Sequence, residues 1–367
     1  MKKLTCTIFL FICTLQSVFS QYRTEKIDSP FERIIHKGYK LFDNRKLDSC
    51  NFYITKLDSI IKTIPLDSSK FYRNEVLKAS ILTRKNKTDQ SIEKFLKAEH
   101  FFKKEKDSFN IGLTQLKLGV ANYYINRRLV TKDYMYKALK YKQHLPKRIL
   151  TRIHQNIGTV NLEEGMISGK ENDSLKQQSI KSYNKAIAIY KQEKWLLEES
   201  LATSLIAEAY NQLDDINKAL LIIDDAISAA KKGDFKSQLG FALIKKAAFL
   251  GKKKRYNEAL KTIRNAKPIF KELEDNPTLQ YALIEEKKIL IGLKKFEEAT
   301  KIGDSIFSTS IGNYNIRFAD KVSEMDAKYK TSEKQREIAL QKEELLEKEL
   351  DIKNRNLFGI ILASPPS

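Results

Sequence analysis

The sequence predicts an all-α solenoid of stacked helix hairpins, because small residues recur at regular distances along it. The first set recurs at intervals of 40, 39, 49 and 40 residues, at Ala79, Gly119, Gly158, Ala207 and Ala247. A second small residue follows twelve positions later in four units, at Ser91, Thr131, Ala219 and Ala259. A third lies seven positions beyond the second, at Ala98, Ala138, Ala186, Ala226 and Ala266. Small residues on paired helices mark close backbone crossings, which is how helix hairpins stack.

Composition agrees with a globular, helix-rich chain. Of 367 residues, 42% are hydrophobic, and 13 Gly and 7 Pro are few for a β-rich protein. Because a repeat array grows without forming separate cores, we expect one elongated domain. Residues 67–312 are assigned to the repeats and residues 21–66 to an N-terminal capping helix pair, which has apolar stripes but lacks the small residues.

Residues 1–20 have the pattern of an export signal. Lys2 and Lys3 precede an apolar stretch over 4–15, and residues 18–20 resemble a small-residue cleavage site. We therefore expect an exported, periplasmic protein; an uncleaved membrane anchor is the alternative, although the apolar run is shorter than a spanning helix. Cys50 would be the only cysteine left, which excludes an internal disulfide and predicts a buried structural thiol.

The net charge of +21 does not by itself predict a nucleic-acid partner. Lysine and arginine are scattered through the helices, and they do not interleave with aromatic residues as in a base-stacking platform. Solvated helix faces explain the charge, and attraction to an acidic surface such as anionic lipid or polysaccharide is the alternative.

The fourth hairpin carries an insertion, because Ser179 follows Gly158 after 21 residues instead of twelve. We expect the nine extra residues to form a polar loop around 167–174. Loops on a single repeat often carry binding specificity, although a tolerated surface insertion is the alternative. The candidate binding residues are Ser168, Gly169, Lys170, Glu171, Asn172 and Asp173.

Residues 313–356 are expected to form a long charged helix. Ile338, Leu345 and Ile352 are spaced by seven, which predicts a weak coiled-coil seam and a homodimer through this helix; a single solvated helix is the alternative. Residues 357–367 contain seven apolar residues and then Ser-Pro-Pro-Ser. We interpret this segment as the truncated start of a membrane helix, too short to span a bilayer, so that membrane association is at most weak.

The sequence offers no catalytic constellation. His36, His100, His144 and His154 are isolated, none with metal-ligand spacing, and no nucleotide-binding or hydrolase motif occurs. We therefore expect a protein that is not an enzyme and that has no cofactor and no metal.

These hairpins resemble tetratricopeptide repeats. That family places a small residue in the first helix, another twelve positions on, a bulky residue four later and an alanine three after that; Ala79, Ser91, Phe95 and Ala98 follow this pattern. Two departures are a period near 40 instead of 34 and the missing proline that closes each unit. The resemblance covers some 240 residues.

The signal pattern, long-helix repeats and charged helix together resemble the extracytoplasmic part of bacterial membrane-bound tetratricopeptide sensors. Those proteins continue into a cytoplasmic histidine kinase or a helix-turn-helix domain. The resemblance implies a module that binds a protein or peptide in a signalling system, here without its output domain. A freestanding exported scaffold is the alternative, and the DNA immediately downstream would discriminate between the two.

Overall fold

The computed structural model describes residues 29–43, 47–63, 67–168, 172–308 and 310, and single helical positions between 322 and 349. The predicted signal peptide, residues 357–367 and most of the predicted helix over 313–356 lie outside the described residues. Every regular element within the described ranges is a helix, so the all-α prediction is confirmed.

Fourteen helices follow one another between residues 30 and 308. They are α1 (Pro30–Asp43), α2 (Leu47–Thr63), α3 (Ser68–Arg84), α4 (Thr88–Lys104), α5 (Ser108–Tyr124), α6 (Arg128–Leu139), α7 (Lys147–Ile167), α8 (Asp173–Gln192), α9 (Leu196–Gln212), α10 (Ile216–Lys232), α11 (Lys236–Lys252), α12 (Tyr256–Glu272), α13 (Asn276–Gly292) and α14 (296–308). A short 3₁₀ turn, Lys142–His144, lies between α6 and α7.

The helices form two layers. Each odd-numbered helix packs against the even-numbered helix that follows it, and each hairpin packs against the next. Successive odd-numbered helices also contact one another along the whole array, from α1 with α3 to α11 with α13. The odd-numbered helices therefore form the inner, concave layer of the solenoid, and the even-numbered helices form the outer layer.

Three-residue turns join most of the helices. The middle residue of each of these turns has a left-handed backbone conformation, and none of these residues is a glycine. The φ angles lie between 51° and 66°, at Asn86, Lys106, Asn126, Lys194, Asp214, Asp234, Lys254, Glu274 and Lys294. The amide that follows bonds to a carbonyl five residues earlier, as from Lys87 to Leu82 at 2.9 Å, which closes the helix C-terminus. From 194 to 294 these residues recur every twenty positions, and two such steps make the forty-residue repeat.

The recurring small residues lie where the two helices of a hairpin cross. A Cβ added to Gly158 would lie 2.8 Å from the ring of Tyr183, and one added to Gly119 would lie 2.6 Å from Cε of Met135. Tyr183 and Met135 each stand four positions after the second small residue of their unit. The bulky residue of the second helix therefore covers the small residue of the first.

The insertion in the fourth hairpin lengthens the helices more than the loop. Helix α7 has 21 residues and α8 has 20, against 17 in helices such as α3 and α9. The connection from 168 to 172 is two residues longer than the three-residue turns. Ile167 and Asp173, which we expected in the loop, lie in α7 and α8. Periodicity detected the nine extra residues but could not divide them between helix and loop.

Helices α1 and α2 cover the N-terminal end of the array. Phe31 and Phe42 of α1 and Leu57 of α2 pack with Leu77 of α3 in one buried cluster. Cys50 belongs to the same cluster, is fully buried and donates from Sγ to the carbonyl oxygen of Gly38 at 3.2 Å, so the prediction of a buried thiol is confirmed.

Candidate functional site

The inner layer presents cationic and apolar side chains on three neighbouring helices. The cations are Arg84 of α3, Lys117 of α5 and Arg152 of α7. Arg84 lies five positions after the small residue Ala79 of its helix. Lys117 lies two positions before Gly119, and Arg152 lies six positions before Gly158. At 3.6 residues per turn, these offsets fall within about 40° of one another on a helical wheel. One face of each helix therefore contributes one cation to the same part of the inner surface.

These three residues line a cavity of about 100 Å³ between α1, α3, α4, α5 and α7. The lining residues are Phe42, Ser80, Thr83, Arg84, Phe95, Leu116, Lys117, Val120, Tyr124, Arg152, Gln155 and Asn156. None of them is acidic. The cavity thus combines apolar walls with three positive charges.

Packing against aromatic rings orients two of the cations. The Arg84 guanidinium lies 3.7 Å from the centroid of the Phe42 ring and donates to the carbonyl oxygen of Phe42. The Lys117 ammonium lies 5.0 Å from the centroid of the same ring, and Lys117 is only 8% exposed. Cation–π contacts of this kind hold a charged group against an apolar surface.

Hydrogen bonds fix the polar groups around the cavity. The Thr83 hydroxyl donates to Ser91 at 2.9 Å, and the Tyr190 hydroxyl donates to Oε1 of Gln155 at 3.2 Å. Tyr124 at the rim is 44% exposed. The cavity is therefore already formed, mainly between helices of the inner layer.

Arg152 also interacts electrostatically with a partly buried carboxylate on the next hairpin. Burial raises the pKa of Glu198, and the charges of Arg148 and Arg152 oppose this shift. Nη1 of Arg148 lies 3.3 Å from Oε1 of Glu198, and its guanidinium lies 4.1 Å from the centroid of the Trp195 ring. Helices α7 and α9 are thus linked beside the cavity.

Further along the inner layer, Glu208 of α9 is enclosed by its partners. It accepts hydrogen bonds from Lys245 Nζ at 3.0 Å, Gln212 Nε2 at 2.7 Å and Asn211 Nδ2 at 3.0 Å. Burial would raise the pKa of Glu208, but the charge of Lys245 and the hydrogen bonds outweigh it and lower the pKa to about 2. Lys252 donates to Oδ1 of Asn211 at 2.6 Å. This region of the inner layer is a satisfied polar network that joins α9 to α11.

The small residues selected from the sequence are buried in the helix interfaces and do not line the cavity. They are Ala79, Ala98, Gly119, Ala138, Gly158, Ala186, Ala207, Ala226, Ala247 and Ala266. In the predicted binding loop, Ser168 and Asp173 are exposed and Asn172 is partly exposed, while Gly169, Lys170 and Glu171 lie outside the described residues.

Sequence reasoning missed Arg84, Lys117 and Arg152, because in a chain with 67 lysine and arginine residues no single cation stands out. Their shared angular offset from the small residue of each first helix was the signal that could have found them.

Other site types receive no support from the described residues. In that part of the chain no group of three or more His, Cys, Asp or Glu side chains is arranged to hold a metal ion. Burial, followed by the charge of Lys185, lowers the pKa of His154. None of the helices among the described residues combines the length and the apolar composition needed to cross a membrane.

Comparison with solved structures gives the same fold. The apo form of RapI superposes with a TM-score of 0.62 at 11% identity, over 77% of this chain and 76% of that one. NprR in complex with its cognate peptide NprX has a TM-score of 0.53 at 16% identity, over 77% and 80%. Aspartyl phosphate phosphatase F from Bacillus subtilis has a TM-score of 0.52 at 15% identity, over 80% and 76%. The architecture is a tetratricopeptide-like solenoid.

No protein-family model matches the sequence, and no curated protein matches it. At identities of 11 to 16%, the structural similarity establishes the fold alone.

Proposed function

We propose that this protein is a non-catalytic interaction module that binds a peptide, or an extended segment of a protein, along its inner surface. The observation that carries the proposal is the preformed cavity on the inner layer, where Arg84, Lys117 and Arg152 adjoin apolar walls. Concave surfaces of helical solenoids are suited to extended ligands, because successive repeats contact successive parts of the ligand.

The size of the cavity favours a peptide over an enclosed small molecule. Small-molecule sites occupy roughly 300–1,000 Å³, whereas this cavity has about 100 Å³. A cavity of this volume accommodates one side chain of a peptide, and the rest of the peptide would lie along the inner surface of the solenoid. The likeness to NprR, solved with its cognate peptide, is consistent with this use of the fold.

A pool of random hexapeptides with free carboxyl ends tests the proposal. We expect the purified full chain to retain a subset of the pool through gel filtration, as identified by mass spectrometry. Charge reversal at the inner surface by Arg152→Glu should abolish this retention, whereas Lys261→Glu on the exposed face of α12 should not. Failure to retain any peptide would contradict the proposed function.

The proposed cellular role is that of the extracytoplasmic, ligand-sensing part of a signal-transduction protein. Its support comes from the sequence: the export pattern of residues 1–20 and the resemblance to membrane-bound sensors. We expect fractionation to recover a chain processed after Ser20 outside the cytoplasm. Recovery of the unprocessed chain in the cytoplasm would contradict this role.

A further inference from the structure

We propose that one edge of the solenoid binds the surface of a membrane that contains anionic lipid. Consecutive helices of a hairpin array run in opposite directions, so the connections within hairpins lie at one edge and the connections between hairpins lie at the other. The first of these, here called the hairpin edge, comprises the described residues 85–87, 125–127, 168, 172, 213–215, 253–255 and 293–295. This surface is separate from the cavity, and the inference goes beyond the proposed function.

The connections at the two edges differ in charge. Those of the hairpin edge contain eight basic and two acidic residues: Lys85, Lys87, Arg127, Lys253, Lys254, Arg255, Lys294 and Lys295, with Asp214 and Asp215. The described connections of the opposite edge contain four basic and seven acidic residues: Lys106, Lys140, Lys142 and Lys194, with Asp67, Glu105, Asp107, Glu193, Asp234, Glu274 and Asp275. Lysines on the helix ends beside the opposite edge are partly neutralised, as Lys236 is by Glu272 at 2.6 Å. Positive charge in the connections is therefore concentrated on the hairpin edge.

The eight basic side chains of the hairpin edge are accessible to a partner, because all of them are exposed. Arg255 lies 2.6 Å from Glu258, and Lys295 lies 2.7 Å from Glu298. The other six form no ion pair with any residue in the described part of the chain. Most of the positive charge on this edge is therefore not neutralised within the molecule.

Exposed apolar side chains lie among these cations. Leu129, Ile167 and Phe296 are 74%, 56% and 62% exposed, and each lies within two residues of a connection of the hairpin edge. Single exposed apolar residues are common on protein surfaces, but here three of them lie on the edge that carries the cations. Burying such side chains between lipid headgroups and acyl chains is favourable in proportion to their apolar area.

The combination of the two side-chain types favours a membrane over a soluble polyanion. Lysine and arginine near a bilayer are attracted by the negative surface potential of anionic lipid. A nucleic acid or an acidic polysaccharide attracts the same cations but offers no hydrocarbon layer to the three apolar side chains. Because helix ends form the edge and helix sides form the inner layer, a solenoid bound in this way keeps its inner surface accessible.

Sedimentation with lipid vesicles tests the inference on the purified full chain. One set of vesicles contains phosphatidylcholine alone, and the other contains equal parts of phosphatidylcholine and phosphatidylglycerol. We expect the protein to bind the mixed vesicles, to bind the neutral vesicles much less, and to be released from the mixed vesicles at high salt, which screens the attraction.

Four lysines form a matched set that locates the binding surface. Lys254 and Lys294 lie on the hairpin edge, and Lys106 and Lys194 lie on the opposite edge. All four are exposed middle residues of three-residue turns, with φ between 55° and 61°. Lys254→Glu combined with Lys294→Glu should raise the lipid concentration for half-maximal binding at least about tenfold. Lys106→Glu combined with Lys194→Glu changes the net charge equally and should raise it less than about twofold.

A second matched pair tests the apolar contribution. Leu129→Ser should weaken binding to the mixed vesicles about fivefold and leave binding to heparin unchanged, because heparin has no hydrocarbon layer. Leu273→Ser removes the same side chain from a turn of the opposite edge, where Leu273 is 42% exposed, and should not weaken vesicle binding.

A readout on the wild-type chain needs no substitution. Acylation of Lys254 and Lys294 by an amine-reactive reagent should slow when mixed vesicles are added, whereas acylation of Lys106 and Lys194 should not. Mass spectrometry of the digested protein measures all four rates in one sample.

Four outcomes would overturn the inference. The first is the absence of binding to the mixed vesicles, with or without binding to heparin. The second is equal binding to neutral vesicles. The third is an equal effect of the two charge-reversed pairs in variants that circular dichroism melts show to be folded. The fourth is equal protection of all four lysines from acylation.

Discussion

Single residues determine how closely the two helices of a hairpin approach. Gly158 faces the rigid ring of Tyr183, which is fully buried and whose hydroxyl lies 2.9 Å from that of Thr159. A Cβ at Gly119 would meet Cε of Met135, the end of a flexible side chain, and would lie 3.3 Å from the backbone carbonyl oxygen of Thr131. The same substitution should therefore have different consequences in the two hairpins, because the Met135 side chain can move aside more easily than the Tyr183 ring.

We predict that Gly158→Ala lowers the free energy of unfolding by about 1–3 kcal/mol through overpacking. Gly119→Ala should leave it nearly unchanged, because moving the Met135 side chain and easing the 3.3 Å contact with the Thr131 carbonyl oxygen offset the roughly 1 kcal/mol of helix propensity that alanine gains. Urea denaturation of both variants beside the wild type measures the difference. An equal loss of unfolding free energy in the two variants would show that the Tyr183 ring and the Met135 side chain accommodate the added methyl group equally well.

At the scale of the helices, the turns control where each helix ends. In the described part of the chain, nine turns hold a non-glycine residue at positive φ, a conformation that costs roughly 1–2 kcal/mol for residues with a Cβ. Lys254 has φ 59°, whereas its neighbour Lys253, the C-cap of α11, has φ −79°. The two lysines thus form a matched pair that differs in backbone conformation.

Lys254→Gly should stabilise the protein by up to about 1 kcal/mol. The steric cost of a Cβ at positive φ, which glycine removes, is larger than the entropic cost of the extra freedom that glycine gives the unfolded chain. Lys253→Gly removes the same charge where φ is ordinary, and it should destabilise by about 0.5–1 kcal/mol. Thermal melts followed by circular dichroism measure both. A lower melting temperature for Lys254→Gly than for the wild type would show that the positive φ angle at this turn does not destabilise the protein.

The sequence predicted the helix hairpins more accurately than it predicted where the helices end or which surface residues form the cavity. Small-residue spacing identified the hairpins because close crossings tolerate few side chains. Seven of the nine left-handed turn residues are Lys, Asp or Glu and the other two are Asn86 and Asn126, so no glycine marked these positions in the sequence. The cavity could not be predicted, because it depends on which faces of helices some 35 residues apart in sequence come together, as Lys117 and Arg152 do.

At the scale of the whole molecule, ion pairs between successive hairpins supplement the apolar contacts. Lys132 lies 2.9 Å from Glu164 and Lys245 lies 3.0 Å from Glu208. Glu208 has an ordinary pKa near 4.5 in the unfolded chain and a pKa lowered to about 2 in the folded one. Its contribution to stability is present above pH 4.5 and is lost as the pH falls towards 2.

We therefore predict that Glu208→Gln reduces the loss of stability between pH 6 and pH 3 by about 1–2 kcal/mol relative to the wild type. Glu297→Gln, which alters a carboxylate whose side chain is 85% exposed, should reduce that loss much less. Urea midpoints at the two pH values provide the measurement. The same pH dependence in Glu208→Gln and the wild type would mean that the interface between α9 and α11 does not depend on this charge.

The twenty-residue spacing of the turns affects how such a chain can change length during evolution. Removing residues 216–255 would join Asp215 directly to Tyr256, leaving an intact left-handed turn before a helix of the same length. The residues that follow these two points, Asn217-Lys-Ala-Leu and Asn257-Glu-Ala-Leu, are nearly identical. Unequal recombination between two such stretches adds or deletes one whole hairpin and leaves both ends of the array unchanged. The reach of the inner surface can therefore evolve in complete units, separately from the chemistry of its cavity.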